Sequence, residues 1–341
     1  MRMNFPQRFV LVVLCATGMF TTALAASSSP PSVDDCDDYY YGIHQAPDLS
    51  KALKCYQDEK RWDLLIVMHL NGEGTPMNVQ KAEELLQAWQ KDEPTQTASL
   101  QAQALRKVID ERKEHPGVPY PRIDFCKDIA GDTLALNFCV ALSAEIEEVK
   151  LGTKLAKIRL KLTPAAAALF DKVTKEFYLF EGAEANRGHQ RYIGGTGRII
   201  ASSGQAAFVR YQFSAFIEKL VERRDLEPAN QKAYEAADRE LNQVYYDDVA
   251  DYVKDYEEQI LNLQDNDDVG RYRMFIDDYK KDSKEAQIHW IRYRDLCAEL
   301  ARSLYKRQKA GFDPALSMKT ALTRIRVIEL RHDPMGPGPG E

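Results

Sequence analysis

Residues Ser283–Tyr305, SKEAQIHWIRYRDLCAELARSLY, decide the fold class. Their apolar positions Trp290, Tyr293, Cys297, Leu300 and Leu304 step by 3, 4, 3 and 4, which puts them on one face of an α-helix. Upstream, Ala237, Leu241, Val244, Val249, Tyr252 and Tyr256 form a looser stripe of the same kind, and Phe170, Val173, Phe177 and Phe180 open another. Aromatic stripes at this spacing face a core. Strand-like alternation is scarce, and breakers cluster at Pro94, at His115 to Pro121, at Gly194 to Gly197 and at Asp265 to Gly270. The expectation is an all-α protein of antiparallel helical hairpins or bundles.

The ends of the chain predict export. Arg2 and Arg8 flank an apolar run from Phe9 to Phe20, and Ala23-Leu24-Ala25 follows as an A-x-A site. That order is the pattern of a cleaved secretory signal over residues 1–25, and the run is too short to span a bilayer. Val13-Leu14 before Cys15 lacks the small residue of a lipoprotein site, so no lipid anchor is expected. Cleavage would leave 44 basic against 52 acidic residues, a formal −8, and no electrostatic footprint for nucleic acid. The mature chain is expected in the periplasm or secreted, with no transmembrane segment.

Five cysteines lie beyond the signal: Cys36, Cys55, Cys126, Cys139 and Cys297. Four of them fall into two local groups, and four cysteines allow three connectivities. Short loops close most easily, which favours Cys36–Cys55 and Cys126–Cys139, each stabilising by about 3 kcal/mol on the chain-entropy model. Cys297 is left as a small buried thiol. No C-x-x-C or zinc-spaced Cys/His cluster occurs, so no metal is expected.

The chain divides into a flexible start at 26–33, a small helical unit at 34–115, helical hairpins at 122–225 and 226–333, and a Pro/Gly tail at 334–341. Residues 170–220 and 283–332 share an order of aromatic helix, glycine-containing loop and second amphipathic helix. Setting Phe177 against Trp290 brings Phe180 onto Tyr293, Glu184 onto Cys297 and, with a one-residue gap, Ala207–Arg210 onto Ala321–Arg324. The pattern reads as an internal duplication with a degraded first copy.

Ala237-Asp238-Arg239-Glu240-Leu241-Asn242 followed by Tyr245 is similar to the A-D-x-x-L-N-x-x-Y signature of the LprI-type lysozyme inhibitor family. Ala286-Gln287, Trp290, Tyr293-Arg294-Asp295 and Cys297 resemble its A-Q-x-x-W-x-x-Y-R-D-x-x-C helix. Leu322-Thr323-Arg324, Arg326 and Glu329-Leu330 resemble its closing L-T-x-x-R-x-x-E-L helix. The resemblance implies an envelope protein that binds another protein, a lysozyme in the few members for which inhibition is established. The family's cysteine just before the closing motif is replaced by Met318, and its upstream cysteine is absent, so the staple from Cys297 is missing. Arg294 follows Trp290 by four residues and is placed to pair with Asp238 or Glu329, tying three helices together.

Farther toward the N-terminus, Leu65, Met68, Asn71-Gly72-Glu73-Gly74, Asn78 and Lys81-Ala82 resemble a Sel-type, tetratricopeptide-like repeat, whose helices meet at a G-x-G turn. Glycine there serves a positive-φ exit from the first helix. One repeat cannot bury its own face, so the unit is expected to dock on the rest of the protein, held partly by the Cys36–Cys55 bridge.

No catalytic or cofactor signature emerges. The six histidines are scattered, with no H-E-x-x-H pair and no G-x-S-x-G elbow. Asp265–Gly270 fails as a calcium loop because Val269 and Ile276 stand where oxygen ligands are needed, and it reads as a polar turn. Gly194–Gly197 lacks the strand and the G-K-[ST] of a phosphate loop.

Asp247, Asp251, Asp255 and Glu258 step by 4, 4 and 3 along one helix. They form either a solvated face or a docking stripe for a cationic protein. The leading expectation is a non-enzymatic envelope protein that binds a lysozyme or another cationic protein. The alternatives are a structural or assembly factor of the envelope and a hydrolase without a recognised motif.

Overall fold

The computed structural model describes residues 36–93, 99–192, 197–222, 226–263, 266–305 and 312–332. The expected signal at 1–25, the flexible start at 26–33, the tail at 334–341 and Gly194–Thr196 of the glycine loop lie outside the described residues. The described chain is all-α: α1 Cys36–Tyr41, α2 Leu49–Glu59, α3 Trp62–Asn71, α4 Val79–Asp92, α5 Leu100–Glu114, a π-turn Phe125–Ile129, α6 Thr133–Arg159, α7 Pro164–Arg191, α8 Arg198–Val221, α9 Gln231–Ile260, α10 Asn266–Leu304 and α11 Pro314–Arg331.

Local chemistry sets most helix starts. Asp48, Asn78, Ser99, Asp132, Thr163, Asn230 and Asp313 each accept a first-turn amide hydrogen bond, and Pro164 and Pro314 occupy the first turn, where a missing N–H costs nothing. The reading of Asp265–Gly270 as a polar turn is corrected for Asn266–Gly270, which form the first turn and more of α10. Asp267 and Asp268 stand where carboxylates favour the positive end of the helix dipole.

The first core gathers α1 to α5, the π-turn and the start of α6. Leu64 to Leu70 are buried without interruption, so α3 is the central helix with no solvent face. Gly72 (φ 73°) and Gly74 (φ 69°) make the positive-φ exit from α3, and a Cβ on Gly74 would lie 2.3 Å from the Leu49 carbonyl oxygen. Asn71 then closes a two-way bond with the Ile123 backbone, both at 2.9 Å, while Glu73 accepts from Tyr40 and Arg122. Arg112 donates to the carbonyls of Leu70 and Pro121. These contacts fasten the 120–123 segment to the end of α3.

Both expected disulfides form. Cys36–Cys55 joins α1 to α2 with Cα atoms 5.4 Å apart, and Cys126–Cys139 joins the π-turn to α6 at 5.6 Å. The 27-residue α6 then carries the chain onward: Ala135 belongs to the first core, and Leu151, Leu155 and Ile158 to the second. Arg210 of α8 holds this helix by donating to the Ala144 carbonyl while pairing with buried Glu181 of α7.

The second core is built by α6 to α11, with the longest shared interface between α7 and α10. Phe177 stacks on Phe213 with centroids 3.8 Å apart, and Phe180 lies parallel to Tyr293 at 6.0 Å. Phe180 and Tyr293 are the positions that the internal alignment pairs. Trp290 (1% exposed) and Cys297 (0%) sit in the same core as Met318.

Two expectations follow. Protein prepared from Ala26 and alkylated in denaturant should label once without reduction and five times after it, by mass spectrometry. Cys297 should resist labelling in the native state, because burial both hides the thiol and pushes its pKa up. Trp290→Ala should cost about 3–5 kcal/mol by urea unfolding, the range for emptying an aromatic core site. A loss below about 1 kcal/mol would contradict the packing described.

Candidate functional site

The family-like residues converge, mostly inside the protein. Leu241, Trp290, Tyr293, Cys297, Leu322 and Leu330 all lie in the second core, with Tyr245 half-buried against it. Thr323 is fully buried and donates to the Lys319 carbonyl. Arg294 lies over the Trp290 ring at 5.1 Å, pairs with Asp295 and reaches Asp238 at 3.8 Å. Glu329, its other expected partner, is taken by Arg326, so Arg294 links α9 and α10 only. Asp238 accepts from exposed Asn242 at 3.4 Å.

Arg326 opens onto a buried charge network that spans five helices. Glu184 of α7, with no exposed surface, accepts from Arg187 at 3.0 Å, from Gln205 of α8 at 2.9 Å and from Arg326 of α11 at 2.5 Å. Arg187 reaches on to Asp248 of α9 at 3.1 Å and to the Tyr279 hydroxyl of α10 at 3.3 Å. Tyr279 itself donates to Asp248 at 2.8 Å, and Arg191 donates to the other oxygen of Asp248 at 2.7 Å. Gly188 makes this approach of α8 possible, because a Cβ there would lie 2.9 Å from the Ala201 carbonyl oxygen.

Two carboxyls of the network, Glu184 and Glu329, are driven in opposite directions. Burial raises the pKa of Glu184, but Arg187 and Arg326 together outweigh it and bring the group down to about 2. Burial also raises Glu329; Arg326 and, more weakly, Arg187 oppose it, Glu184 reinforces it, and the carboxyl is pushed up to about 7. No substrate can reach Glu184 or Arg326, and the adjoining aromatic cavity of about 10 Å³ has room for one water at most. The network holds helices together.

The accessible chemistry lies elsewhere. Asp247, Asp251, Asp255 and Glu258 are all exposed along one face of α9, while neighbouring Asp248 points inward to the network. Asp247 accepts from Gln243 at 2.7 Å, and Glu258 lies 3.9 Å from Lys254. Residues 246–280, the α9–α10 hairpin, contain eleven acidic and four basic residues, a formal −7. The whole chain carries −6, so everything outside this hairpin sums to +1. Tyr252 stacks on Tyr279 at 3.8 Å and donates to the Gln190 carbonyl, which seats the base of the hairpin on the end of α7. Beyond that point Tyr256, Tyr272 and Phe275 pack between α9 and α10.

A second opening, of about 350 Å³, lies in the first core among Trp62, Trp89, Phe125 and Phe138. Its charged rim is internally matched, with Lys60 beside Asp92 and Arg61 beside Asp63. Among the described residues the one His/Cys/Asp/Glu group close enough to hold a metal is Cys36, Cys55 and Glu59, and its two sulfurs are bonded to each other. No described helix is long and apolar enough to cross a membrane.

No family model, curated protein or solved structure matches the chain.

The network predicts a pH signature. Glu329 has a folded pKa above its unfolded value of 4.5, so its contribution to stability is complete below pH 4.5 and is lost as pH rises through about 7. Glu184 acts in the opposite sense: its contribution is complete above pH 4.5 and is lost as pH falls toward about 2. Glu329→Gln should therefore remove a decline that the wild type shows between about pH 4.5 and pH 7. The difference between the two proteins is at most about 3 kcal/mol by urea unfolding. Equal slopes for both proteins would rule out this assignment.

Proposed function

We propose that the chain is an exported, non-enzymatic binding protein of the cell envelope that docks on a cationic protein through its α9–α10 hairpin. A lysozyme is the partner that the resemblance to LprI-type inhibitors suggests. The observation that carries this reading is the concentration of −7 on residues 246–280, with four carboxylates of one α9 face in solvent. Acidity spread evenly over a surface favours solubility; gathered on one element it steers an oppositely charged partner to a chosen site. The two disulfides support export, since such bonds persist in oxidising compartments. The duplicated-hairpin reading belongs to the same proposal, supported by the meeting of Phe180 and Tyr293 across α7 and α10. An assembly factor that grips another cationic envelope protein would use the same surface.

The test pairs lysis of cell-wall suspensions by lysozyme with surface-binding kinetics. Asp247→Asn, Asp251→Asn, Asp255→Asn and Glu258→Gln combined should slow association on the order of tenfold at low salt and leave dissociation nearly unchanged. The difference should fade at physiological ionic strength, where charges are screened within about 8 Å. Folded, monodisperse protein in molar excess that neither binds nor inhibits any lysozyme class would remove the lysozyme assignment. Inhibition by a quadruple variant indistinguishable from wild type would remove the α9 face.

A further inference from the structure

We propose that the groove between α8 and α11 is a binding site for a fatty-acid-class ligand, an alkyl chain ending in one carboxylate. The groove encloses about 460 Å³, within the range of small-molecule sites. Phe216 and Leu220 of α8, Leu226 of the connecting segment, and Met318 and Ile325 of α11 supply apolar walls. Leu220 and Met318 are buried among them.

The polar groups on the floor are already used. Ser317 Oγ accepts the Ala229 amide at 2.9 Å, and Thr320 donates its hydroxyl to the Leu316 carbonyl at 2.9 Å. A sugar or nucleotide would find little there to fix its hydroxyls. A peptide would carry backbone amides onto helices whose own amides are paired along the helix, and each amide left without a partner costs a few kcal/mol. An alkyl chain makes no such demand.

The rim selects the headgroup. Lys219 and Arg324 are both exposed at the mouth, against one acid among the described lining residues, Glu227. Arg324 stands 3.7 Å from Glu227, whose side chain is 87% exposed, and a solvent-facing pair of this kind contributes little. A ligand carboxylate can take the guanidinium from Glu227 at small cost. In a chain of net −6 the described lining residues of this mouth carry +1, which favours an anion and disfavours an alkyl cation.

Calorimetry with dodecanoate tests the assignment on the full mature chain. The expected result is saturable one-to-one binding, abolished by Ala321→Trp, which fills the groove, and weakened at least tenfold by Lys219→Glu with Arg324→Glu. Dodecyltrimethylammonium should bind more weakly than dodecanoate to the wild type. Absence of saturable dodecanoate binding overturns the proposal. So does unaltered affinity in either variant, or preference for the alkyl cation. Should Ala321→Trp lose its helical circular dichroism, the rim variant decides, because both of its side chains stand in solvent.

Discussion

Glu184 carries a negative charge where no solvent reaches, and the C-terminal helices are arranged around keeping it charged. Withdrawing a carboxylate from water costs several kcal/mol, and attraction offsets that cost only when its remaining hydrogen-bonding capacity is also met. Arg187 from its own helix, Gln205 from α8 and Arg326 from α11 supply that shell, and Arg187 hands the chain of contacts on to α9 and α10. An apolar core such as Phe177, Phe213 and Tyr293 tolerates a modest slide of one helix past another. A guanidinium 2.5 Å from a buried carboxylate oxygen does not. The network therefore contributes more to selecting one register of five helices than to net stability, since apolar residues of similar volume could fill the same space.

The helical class was legible because the 3-4 step of α10 runs without interruption from Ile276 and Tyr279 through Trp290 to Leu304. The network was present in the same periodicity and harder to see. Phe170, Val173, Phe177 and Phe180 continue in step to Glu184 and Arg187, two charged residues at inward positions three apart. On α9 the inward position after Val244 is Asp248, whereas an apolar stripe passes instead through half-buried Val249. Hydrophobicity patterns pass over a buried charge because they score it as surface. What identifies it as core is a partner, and Arg326 and Asp248 lie 142 and 64 residues from Glu184 in sequence. The same limit applies to Arg294, for which two acidic partners were open until Arg326 was found to occupy Glu329. The break between α6 and α7 was a different omission: Thr163-Pro164 is a local cap-and-proline signal that needs no long-range information.

The N-terminal half shows how far a local motif extends. Asn71-Gly72-Glu73-Gly74 suffices for the tight turn, because the two glycines take the positive φ that the exit from α3 requires. The polar side chains between them have a second task. Asn71 and Glu73 reach across to residues 122–123, and Arg112 reaches Pro121, so the turn also anchors the segment that leads to the second disulfide and α6. The loop so fastened is closed by Cys126–Cys139 and leads into α6.

The acidic hairpin depends on the buried network for its orientation. Along α9 three of the four outward acids have an inward neighbour: Asp247 precedes Asp248, Asp251 precedes Tyr252 and Asp255 precedes Tyr256. Asp248 is held by Arg187, Arg191 and Tyr279, and Tyr252 by Tyr279 and the end of α7. A helix rotated by one residue would bury the outward carboxylates and expose the tyrosines, and the network forbids that rotation. Like charges four residues apart weaken a helix by a few tenths of a kcal/mol per pair. The aromatic contacts among Tyr252, Tyr256, Tyr272 and Phe275 offset that repulsion at the level of the hairpin. The chain thus separates its charges by task, with buried pairs inside that fix the helices and an unbalanced surplus outside, on a hairpin whose facing those pairs help to determine.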